Sequence, residues 1–202
     1  MTTPLLLATS NPGKIEAFRR LLADLHLEIT LPDDLGLTLD VDETGVTFAE
    51  NALIKARAYR DASGIDSLAD DSGLCVDALD GEPGVHSARF GGYQHSPTAQ
   101  NLLLLERLRD VSPDLRGASF VSVIAFAGSD GHEWTAEGVV RGQITKMIRG
   151  WHGFGYDPVF LLPELGKTYA ELAPAVKDPI SHRGRAMEAA RSHIRRDLAL
   201  LE

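Results

Sequence analysis

The feature that most constrains the fold is an apolar run near the start of the chain that leads at once into a helical pattern. Residues 4–9 have the length and composition of a buried strand. After a short polar loop, apolar residues recur at helical spacing from Ile15 to Leu25. Asn11 is a good N-cap and Pro12 suits the first helical position. We therefore predict a strand that feeds directly into a helix.

Three further helices are predicted later in the chain. They begin at Thr47, at Ser96-Pro97 and at Ser181, and Thr47 with Glu50 matches a capping box. The apolar positions expected to face the core are Leu53, Ala56 and Tyr59 in the first of these helices, Leu102, Leu105 and Leu108 in the second, and Met187, Ala190, Ile194, Leu198 and Leu201 in the third.

The predicted extended segments alternate with helices at first and then follow one another. They lie at residues 35–41, 67–69, 74–79, 118–127, 133–140 and 159–162. A bend at Asp70-Asp71-Ser72-Gly73 is expected to join the second segment to the third. The turn residues Gly128-Ser129-Asp130-Gly131 predict that the segments 118–127 and 133–140 form a hairpin. The prediction is an α/β fold with a mixed sheet flanked by helices.

Length and charge limit the possible functions. The chain has 202 residues, enough for one domain or for one domain folded as two lobes. Asp and Glu together number 29 against 20 Lys and Arg, giving a formal net charge of -9. This balance argues against a broad basic surface for polymeric DNA or RNA. It leaves open a small anionic substrate, because a few basic side chains and a bound metal can make a local positive site.

Neither a membrane span nor a secretory leader is expected. No run approaches the roughly 18 apolar residues that a span requires, and the first residues have no basic leader. Cys75 is the only cysteine, so no internal disulfide can form. Its apolar surroundings in sequence favour a small buried hydrophobe over a nucleophile. These features predict a cytoplasmic protein.

The loop before the first helix is a candidate phosphate site. It consists of Thr9, Ser10, Asn11, Pro12, Gly13 and Lys14. Backbone N–H groups, the positive helix end and the lysine ammonium would converge on one point, as a polyphosphate requires. An ordinary capped helix is the alternative. The loop lacks the glycine spacing of a Walker A motif, and Gly166-Lys167-Thr168 fails the same test because Leu161 stands where that motif requires glycine.

Two acidic pairs are candidate metal ligands. Asp70 and Asp71 are adjacent carboxylates between apolar Leu68 and Leu74. Mg²⁺ is usually held by one or two carboxylates, with phosphates and waters completing its shell, and a carboxylate can also deprotonate a water. A turn in which Asp70 caps backbone N–H groups is the alternative. Asp42-Glu43 could supply a further ligand, or form an exposed loop pair.

Two segments in the second half of the chain could bind a base. Gly153-Phe154-Gly155-Tyr156-Asp157-Pro158 places glycines on both sides of an aromatic ring, which would allow a base to stack closely. A tight turn is the alternative. Lys177, His182 and Arg183 offer donors that could read acceptor atoms on a base, although an ordinary basic helix start would look similar.

Six ordered blocks of sequence together resemble the inosine triphosphate pyrophosphatase family, also described as XTP/dITP diphosphatases or non-standard purine nucleoside triphosphatases. The resemblance runs from Leu5 to the final helix. The blocks are Thr9-Ser10-Asn11-Pro12-Gly13-Lys14, Thr47-Phe48-Ala49-Glu50-Asn51-Ala52, Ala69-Asp70-Asp71-Ser72-Gly73-Leu74, Pro83-Gly84-Val85-His86-Ser87-Ala88-Arg89, Gly153-Phe154-Gly155-Tyr156-Asp157-Pro158 and Ile180-Ser181-His182-Arg183.

The resemblance implies a homodimeric, Mg²⁺-dependent enzyme, with Mn²⁺ as a possible substitute. It implies a single domain over residues 1–202, with a long mixed sheet and two lobes around a substrate cleft. The implied reaction hydrolyses dITP, ITP and XTP to the monophosphate and pyrophosphate, which removes deaminated purines from the nucleotide pool. Release of orthophosphate by a phosphatase, and nucleotide sensing without turnover, are the two rival functions that the residues alone leave open.

The resemblance also implies roles for particular residues. Thr9 to Lys14 would hold the triphosphate, and Lys14, Asp70 and Asp71 would be catalytic. Asp71 would bind the metal, together with Asp42, which stands where the family usually has glutamate; Glu43 is the alternative ligand. Ser72 would touch the substrate. The base pocket would consist of Phe154, Gly155, Tyr156, Asp157, Lys177, His182 and Arg183. Donors from Lys177, His182 or Arg183 would pair with the C6 carbonyl of hypoxanthine or xanthine and mispair with the C6 amino group of adenine.

Overall fold

The computed structural model describes residues 4–94 and 96–198. The strands in these residues are β1 Pro4–Leu7, β2 Glu28–Thr30, β3 Ser67–Val76, β4 Gly117–Ala127, β5 Glu133–Ile144, β6 Phe160–Leu162 and β7 Lys167–Thr168. The α-helices are α1 Pro12–Leu21, α2 Phe48–Ser63, α3 Pro97–Arg107, α4 Pro174–Ile180 and α5 His182–Asp197. Short 3-10 helices lie at Ala23–Leu25, Pro32–Leu35, Asp77–Leu79, Gly84–Gly92, Pro113–Leu115 and Tyr169–Glu171.

The seven strands form one mixed sheet in the order β2-β1-β3-β4-β5-β6-β7. Strand β1 runs parallel to β2 and to β3, whereas β6 runs antiparallel to β5 and to β7. A tight turn closed by a 2.8 Å bond from the Gly128 N–H to the His132 carbonyl joins β4 to β5. The predicted α/β fold with a mixed sheet flanked by helices is confirmed.

The chain divides into two compact units, and each has its own hydrophobic core. The first unit consists, within the described residues, of 4–71, 122–138 and 183–198, and the second of the described residues in 72–121 and 139–182. In the first unit, Leu5 and Leu7 of β1 pack with Phe18 of α1 and with the inner face of α5. In the second unit, Leu104 of α3 packs among aliphatic and aromatic side chains of β3 to β6.

Helix α5 confirms its predicted apolar face. Met187, Ala190, Ile194 and Leu198 are all buried in the core of the first unit. Leu201, the last position predicted for this face, lies outside the described residues. A helix with one apolar stripe must bury that stripe to be stable. The four buried positions therefore determine which side of α5 packs against the core of the first unit.

The predicted bend at Asp70-Asp71 is wrong, because β3 continues without interruption from Ser67 to Val76. Adjacent carboxylates inside a sheet are tolerated only where they find charged or hydrogen-bonding partners. Distant parts of the chain supply those partners to Asp70, so no turn is needed to expose the pair to water.

Other departures lie in short or edge elements. Residues 35–41 form no strand; Leu35 ends the 3-10 helix Pro32–Leu35, and β2 lies earlier in the chain. Of the three leucines predicted to face the core from α3, Leu102 is exposed, whereas Leu105 and Leu108 pack in the core as predicted; Leu104 is buried in addition. Leu53 of α2 and Cys75 of β3 are half-buried rather than buried. Among the described residues, no helix is both long enough and apolar enough to cross a membrane.

Two of the predicted helix caps, Thr47 and Ser96, differ in the structure and allow a paired test. The Thr47 hydroxyl accepts a 3.2 Å bond from the Glu50 N–H, whereas Ser96 makes no side-chain cap bond to α3. We predict that Thr47→Ala lowers the free energy of unfolding by about 1 kcal/mol. Ser96→Ala should change it by less than about 0.5 kcal/mol. Urea denaturation of both variants measures the difference, and equal losses would contradict the assigned caps.

Candidate active site

The loop between β1 and α1 has the capped geometry that the sequence predicts. The Asn11 side chain accepts a 3.2 Å bond from the Lys14 N–H, and the Thr9 hydroxyl accepts one of the same length from the Asn11 N–H. Ser10, Asn11 and Pro12 are exposed, while Gly13 and Lys14 are half-buried. The positive end of α1 therefore lies at an accessible loop, and the lysine that follows it turns toward β3.

Asp70 is fully buried and holds two cations of the first unit. Its Oδ2 atom lies 2.8 Å from Lys14 Nζ and 3.2 Å from an Arg183 Nη2 atom. The Ser122 hydroxyl of β4 donates a 2.5 Å bond to Oδ1. Burial alone would raise the pKa of Asp70, but Arg183 and Lys14 outweigh it and hold that pKa well below its usual range. Asp70 is thus an ionised counter-ion with both oxygens engaged.

Asp71 is also buried, but it differs from Asp70 in its partners and in the direction of its pKa shift. Consecutive strand residues point to opposite faces of a sheet. Asp71 Oδ1 lies 3.8 Å from Lys55 Nζ, and Oδ2 is buried with no hydrogen-bond partner among the described residues. Burial raises the pKa of Asp71 to about 6, although Lys55 and Lys14 act in the opposite direction. A buried carboxylate oxygen with no partner is unusual and calls for a ligand.

Lys55 of α2 connects Asp71 with Glu43. Its ammonium lies 2.7 Å from Glu43 Oε1 and donates a 3.2 Å bond to the Asp70 carbonyl. Sequence reasoning missed Lys55, although it follows the capping box of α2 and shares its buried side. Asp42 is exposed, whereas Glu43 is half-buried. The structure therefore brings Glu43, rather than Asp42, into the group around Asp71.

These carboxylates fit a divalent cation. The unpaired Oδ2 atom of Asp71 is a hard oxygen ligand, and Glu43 supplies the second carboxylate of the group. Mg²⁺ typically takes one or two such ligands from the protein. No cluster of three or more His, Cys, Asp or Glu side chains suited to a metal occurs in the described part of the chain. A cation held here would therefore need oxygens from water or from a substrate to complete its shell.

In the second unit, the loop at Phe154–Asp157 is closed around one carboxylate. Asp157 Oδ2 accepts a 2.9 Å bond from the Phe154 N–H and lies 2.8 Å from Lys177 Nζ. The Lys177 ammonium also lies 5.6 Å from the centre of the Phe154 ring. A Cβ atom on Gly153 would come within 1.9 Å of Asp157 Oδ2, so only glycine fits there. Asp157 is therefore the ion-pair partner of Lys177.

The remaining predicted residues of the second unit differ in their exposure. Tyr156 is buried in the core, and its hydroxyl donates a 2.8 Å bond to the Ser87 carbonyl. His182 stacks on Phe120 of β4, with ring centres 4.4 Å apart and planes within 7°. Ser72 and Phe154 are half-buried. Phe120 was not predicted, because only the fold brings this strand residue to His182.

The structure thus gathers the predicted residues into two groups. Lys14, Asp70, Asp71 and Arg183 lie together in the first unit, and Phe154, Asp157 and Lys177 lie together in the second. The guanidinium of Arg183 contacts Asp70, which is a different neighbour from the base that the sequence assigns to it. The role of Arg183 in reading a base, like that of Asp42 in binding metal, stays a prediction.

Comparison with known proteins decides the family. The family model described as the Ham1 family matches residues 5–193. The chain belongs to the Ham1 family. A relative from Thermus thermophilus named dITP/XTP pyrophosphatase is 47% identical over 184 residues, which cover 91% of this chain and 88% of the relative. A protein of the same name from Streptomyces coelicolor is 46% identical over 190 residues, covering 93% and 94%.

Solved structures of Ham1 proteins share this fold. A HAM1 protein from Coxiella burnetii superposes with a TM-score of 0.87 at 38% identity, covering 96% of this chain and all of that one. The nucleoside-triphosphatase, also named dITP/XTP pyrophosphatase, from Mycobacterium abscessus gives 0.76 at 43% identity, covering 93% and 98%. The resemblance found in the six sequence blocks is therefore confirmed at the level of the family.

Gly153 and Gly155 provide a paired test of the closed loop. Both have positive φ, 76° and 60°, so alanine at either should cost about 1–2 kcal/mol of stability. Gly155 has open space where a Cβ would be, whereas Gly153 meets the Asp157 carboxylate. We predict that Gly153→Ala is the more destabilising in urea denaturation. Equal losses would contradict the described packing of Asp157.

Proposed function

We propose that this chain is a nucleoside triphosphate pyrophosphatase that converts dITP, ITP and XTP to the monophosphate and pyrophosphate. The observation that carries the proposal is the buried Oδ2 atom of Asp71, which has no hydrogen-bond partner among the described residues and lies beside a carboxylate that holds Lys14 and Arg183. The names of the Thermus and Streptomyces relatives support the substrate class. We propose further that it acts as a homodimer in the cytoplasm, on the nucleotide pool.

Mg²⁺, or Mn²⁺ in its place, is the proposed cofactor, with Asp71 and Glu43 as its protein ligands. When bound, the ion would supply positive charge to the phosphate oxygens. Glu43 is preferred to Asp42 because it shares Lys55 with Asp71, at 2.7 Å and 3.8 Å. Lys55 would hold the two carboxylates near each other and reduce their mutual repulsion.

The first unit also offers groups for the phosphates themselves. Lys14 and the N-terminus of α1 would neutralise the departing pyrophosphate. Asp70 holds the Lys14 ammonium in place through a 2.8 Å contact. Hydrolysis of phosphoric anhydrides depends mainly on such positioning and on charge stabilisation, so a fixed ammonium is worth more than a mobile one.

The two carboxylates of β3 differ in what a bound cation would contribute. Arg183 and Lys14 already stabilise the charge of Asp70 and hold its pKa below the usual range despite burial. Burial raises the pKa of Asp71 to about 6, so a cation beside its unpaired Oδ2 atom would stabilise the ionised carboxylate. We therefore assign to Asp71 the binding of the metal, and to Asp70 the placement of Lys14 and Arg183.

The second unit supplies the proposed base-reading residues. Phe154 would stack on the purine, and Lys177 and His182 would direct donors at the C6 carbonyl of hypoxanthine or xanthine. Adenine would bring an amino donor to the same place, and a buried mismatch of this kind can discriminate strongly. Asp157 fixes the Lys177 ammonium 2.8 Å from its Oδ2 atom. The donor would therefore keep its position and would not move to meet a mismatched base.

Product identity tests the proposed reaction. Purified protein with Mg²⁺ should release pyrophosphate and monophosphate from ITP, XTP and dITP, and should turn over ATP at least about 100-fold less efficiently. Enzymatic assays for pyrophosphate and for orthophosphate, run in parallel, separate the alternatives. Orthophosphate with a nucleoside diphosphate would identify a terminal phosphatase, and comparable ITP and ATP turnover would contradict the base-reading scheme.

Substitutions of the acidic side chains test the assigned roles. We predict that Asp71→Asn lowers kcat by about 1,000-fold or more, because it removes a group that acts on charge in the transition state. The fold should be retained, since burial already disfavours the Asp71 charge. Glu43→Gln should lower kcat by about 100-fold, whereas Asp42→Asn should have little effect.

Steady-state kinetics with ITP measure all three variants, and thermal melting checks that each is folded. A larger loss for Asp42→Asn than for Glu43→Gln would restore Asp42 as the metal ligand. Near-normal turnover by a folded Asp71→Asn variant would contradict the proposed chemistry.

A further inference from the structure

The segment at residues 83–89 and helix α3 both form hydrogen bonds with the loop Phe154–Asp157. Neither has a role in the chemistry described so far. All three belong to the second unit. Asn101 of α3 is 2% exposed, and its side-chain amide donates a 3.0 Å bond to the Gly155 carbonyl. The next residue of the loop, Tyr156, donates its hydroxyl to the Ser87 carbonyl at 2.8 Å. Two consecutive loop residues are therefore fixed by buried residues, since Ser87 is only 6% exposed.

The buried side chain of Asn101 lowers the stability of the fold. Its Nδ2 atom binds Gly155, but its Oδ1 atom is buried with no hydrogen-bond partner in the described part of the chain. Neighbouring positions on the same side of α3, Leu104 and Leu108, are apolar members of the core. Leaving one end of a buried amide unpaired costs about 1–3 kcal/mol, so an apolar residue would serve stability at least as well. The bond to Gly155 is the feature that such a residue would lose.

Ser87 is fixed in turn by several bonds. Its hydroxyl accepts a 2.9 Å bond from the Leu74 N–H of β3 and donates a 2.7 Å bond to the Gly84 carbonyl. Gln100, which precedes Asn101, donates a 2.9 Å bond to the carbonyl of Ala88. The acceptor for the Tyr156 hydroxyl thus belongs to a segment that is tied both to β3 and to α3.

We propose that Asn101 and Ser87 are positioning residues that set the place of Phe154 and Asp157 for binding a purine base. This inference rests on the proposed function of the loop. Gly153 and Gly155 both have positive φ, and glycines do not restrict a loop by themselves. The bonds at Gly155 and Tyr156 supply that restriction. They keep the Phe154 ring and the Asp157–Lys177 pair in one arrangement before the base arrives, which lowers the ordering cost of binding.

Two substitutions separate this role from general support of the fold. Asn101→Leu removes the donor to Gly155 and keeps the branched shape of the side chain, and Tyr156→Phe deletes only the hydroxyl that binds Ser87. If Asn101→Leu does not fold, Tyr156→Phe still tests the proposal. Leu102→Ala is the matched control, because Leu102 lies on α3 but is exposed.

The readout is the affinity for inosine monophosphate and for inorganic pyrophosphate, each measured by calorimetry with Mg²⁺ present. Both test variants should bind inosine monophosphate about tenfold more weakly, the effect expected of one lost buried hydrogen bond. Their pyrophosphate affinity should match that of the wild type, and Leu102→Ala should match it for both ligands. Equal weakening for both ligands would indicate general damage and overturn the proposal, as would unchanged affinity for inosine monophosphate in a folded variant.

Failure of this inference is distinguishable from failure of the proposed function. The affinities do not require turnover, so a wild type that binds inosine monophosphate but releases no pyrophosphate from ITP contradicts only the proposed reaction. A wild type that releases pyrophosphate, with variants that keep full affinity for inosine monophosphate, contradicts only the positioning role. Absence of any binding of inosine monophosphate by the wild type would overturn the positioning role as well.

Discussion

The buried carboxylate of Asp70 is the interaction on which the rest of the first unit's site depends. Its side chain is fully buried and contacts Lys14 of α1 and Arg183 of α5, while Ser122 of β4 donates to its other oxygen. Three elements that are far apart in sequence therefore meet at one residue of β3. Removing one partner of such a buried group costs about 3–5 kcal/mol, because a charge is left uncompensated. Asp70 can thus be essential without touching a substrate.

Both oxygens of Asp70 are engaged, whereas Asp71 keeps one oxygen unpaired. Its Oδ2 atom has no hydrogen-bond partner in the described part of the chain, and burial raises its pKa to about 6. A similar principle operates in the second unit, where Asp157 holds both Lys177 and the Phe154 N–H. In each unit, one buried carboxylate fixes a lysine. The neighbouring group is the buried Asp71 carboxylate, with one unpaired oxygen, in the first unit and the half-buried Phe154 ring in the second.

Local signals in the sequence were sufficient for helix caps and for the apolar stripe of α5. They were not sufficient for the strand predicted at residues 35–41, which is absent, or for the partners of the carboxylates. The caps at Asn11 and Thr47 and the apolar stripe of α5 depend on residues close in sequence, and all were predicted correctly. The bend at Asp70-Asp71 was predicted wrongly, because its outcome depends on Lys14 and Arg183, which lie 56 and 113 residues away. Lys55 and Phe120 were missed for the same reason, since only tertiary packing gives them a place in either group.

We propose that the adjacent carboxylates of β3 have different tasks, Asp70 as a counter-ion and Asp71 as a metal ligand. Titration of Mn²⁺ into the Asp70→Asn and Asp71→Asn variants, followed by electron paramagnetic resonance, separates these two tasks. We expect that Asp71→Asn loses Mn²⁺ binding but keeps its melting temperature, and that Asp70→Asn binds Mn²⁺ but melts at a lower temperature. Loss of Mn²⁺ binding in a folded Asp70→Asn variant, with binding retained by Asp71→Asn, would show that the tasks are assigned wrongly.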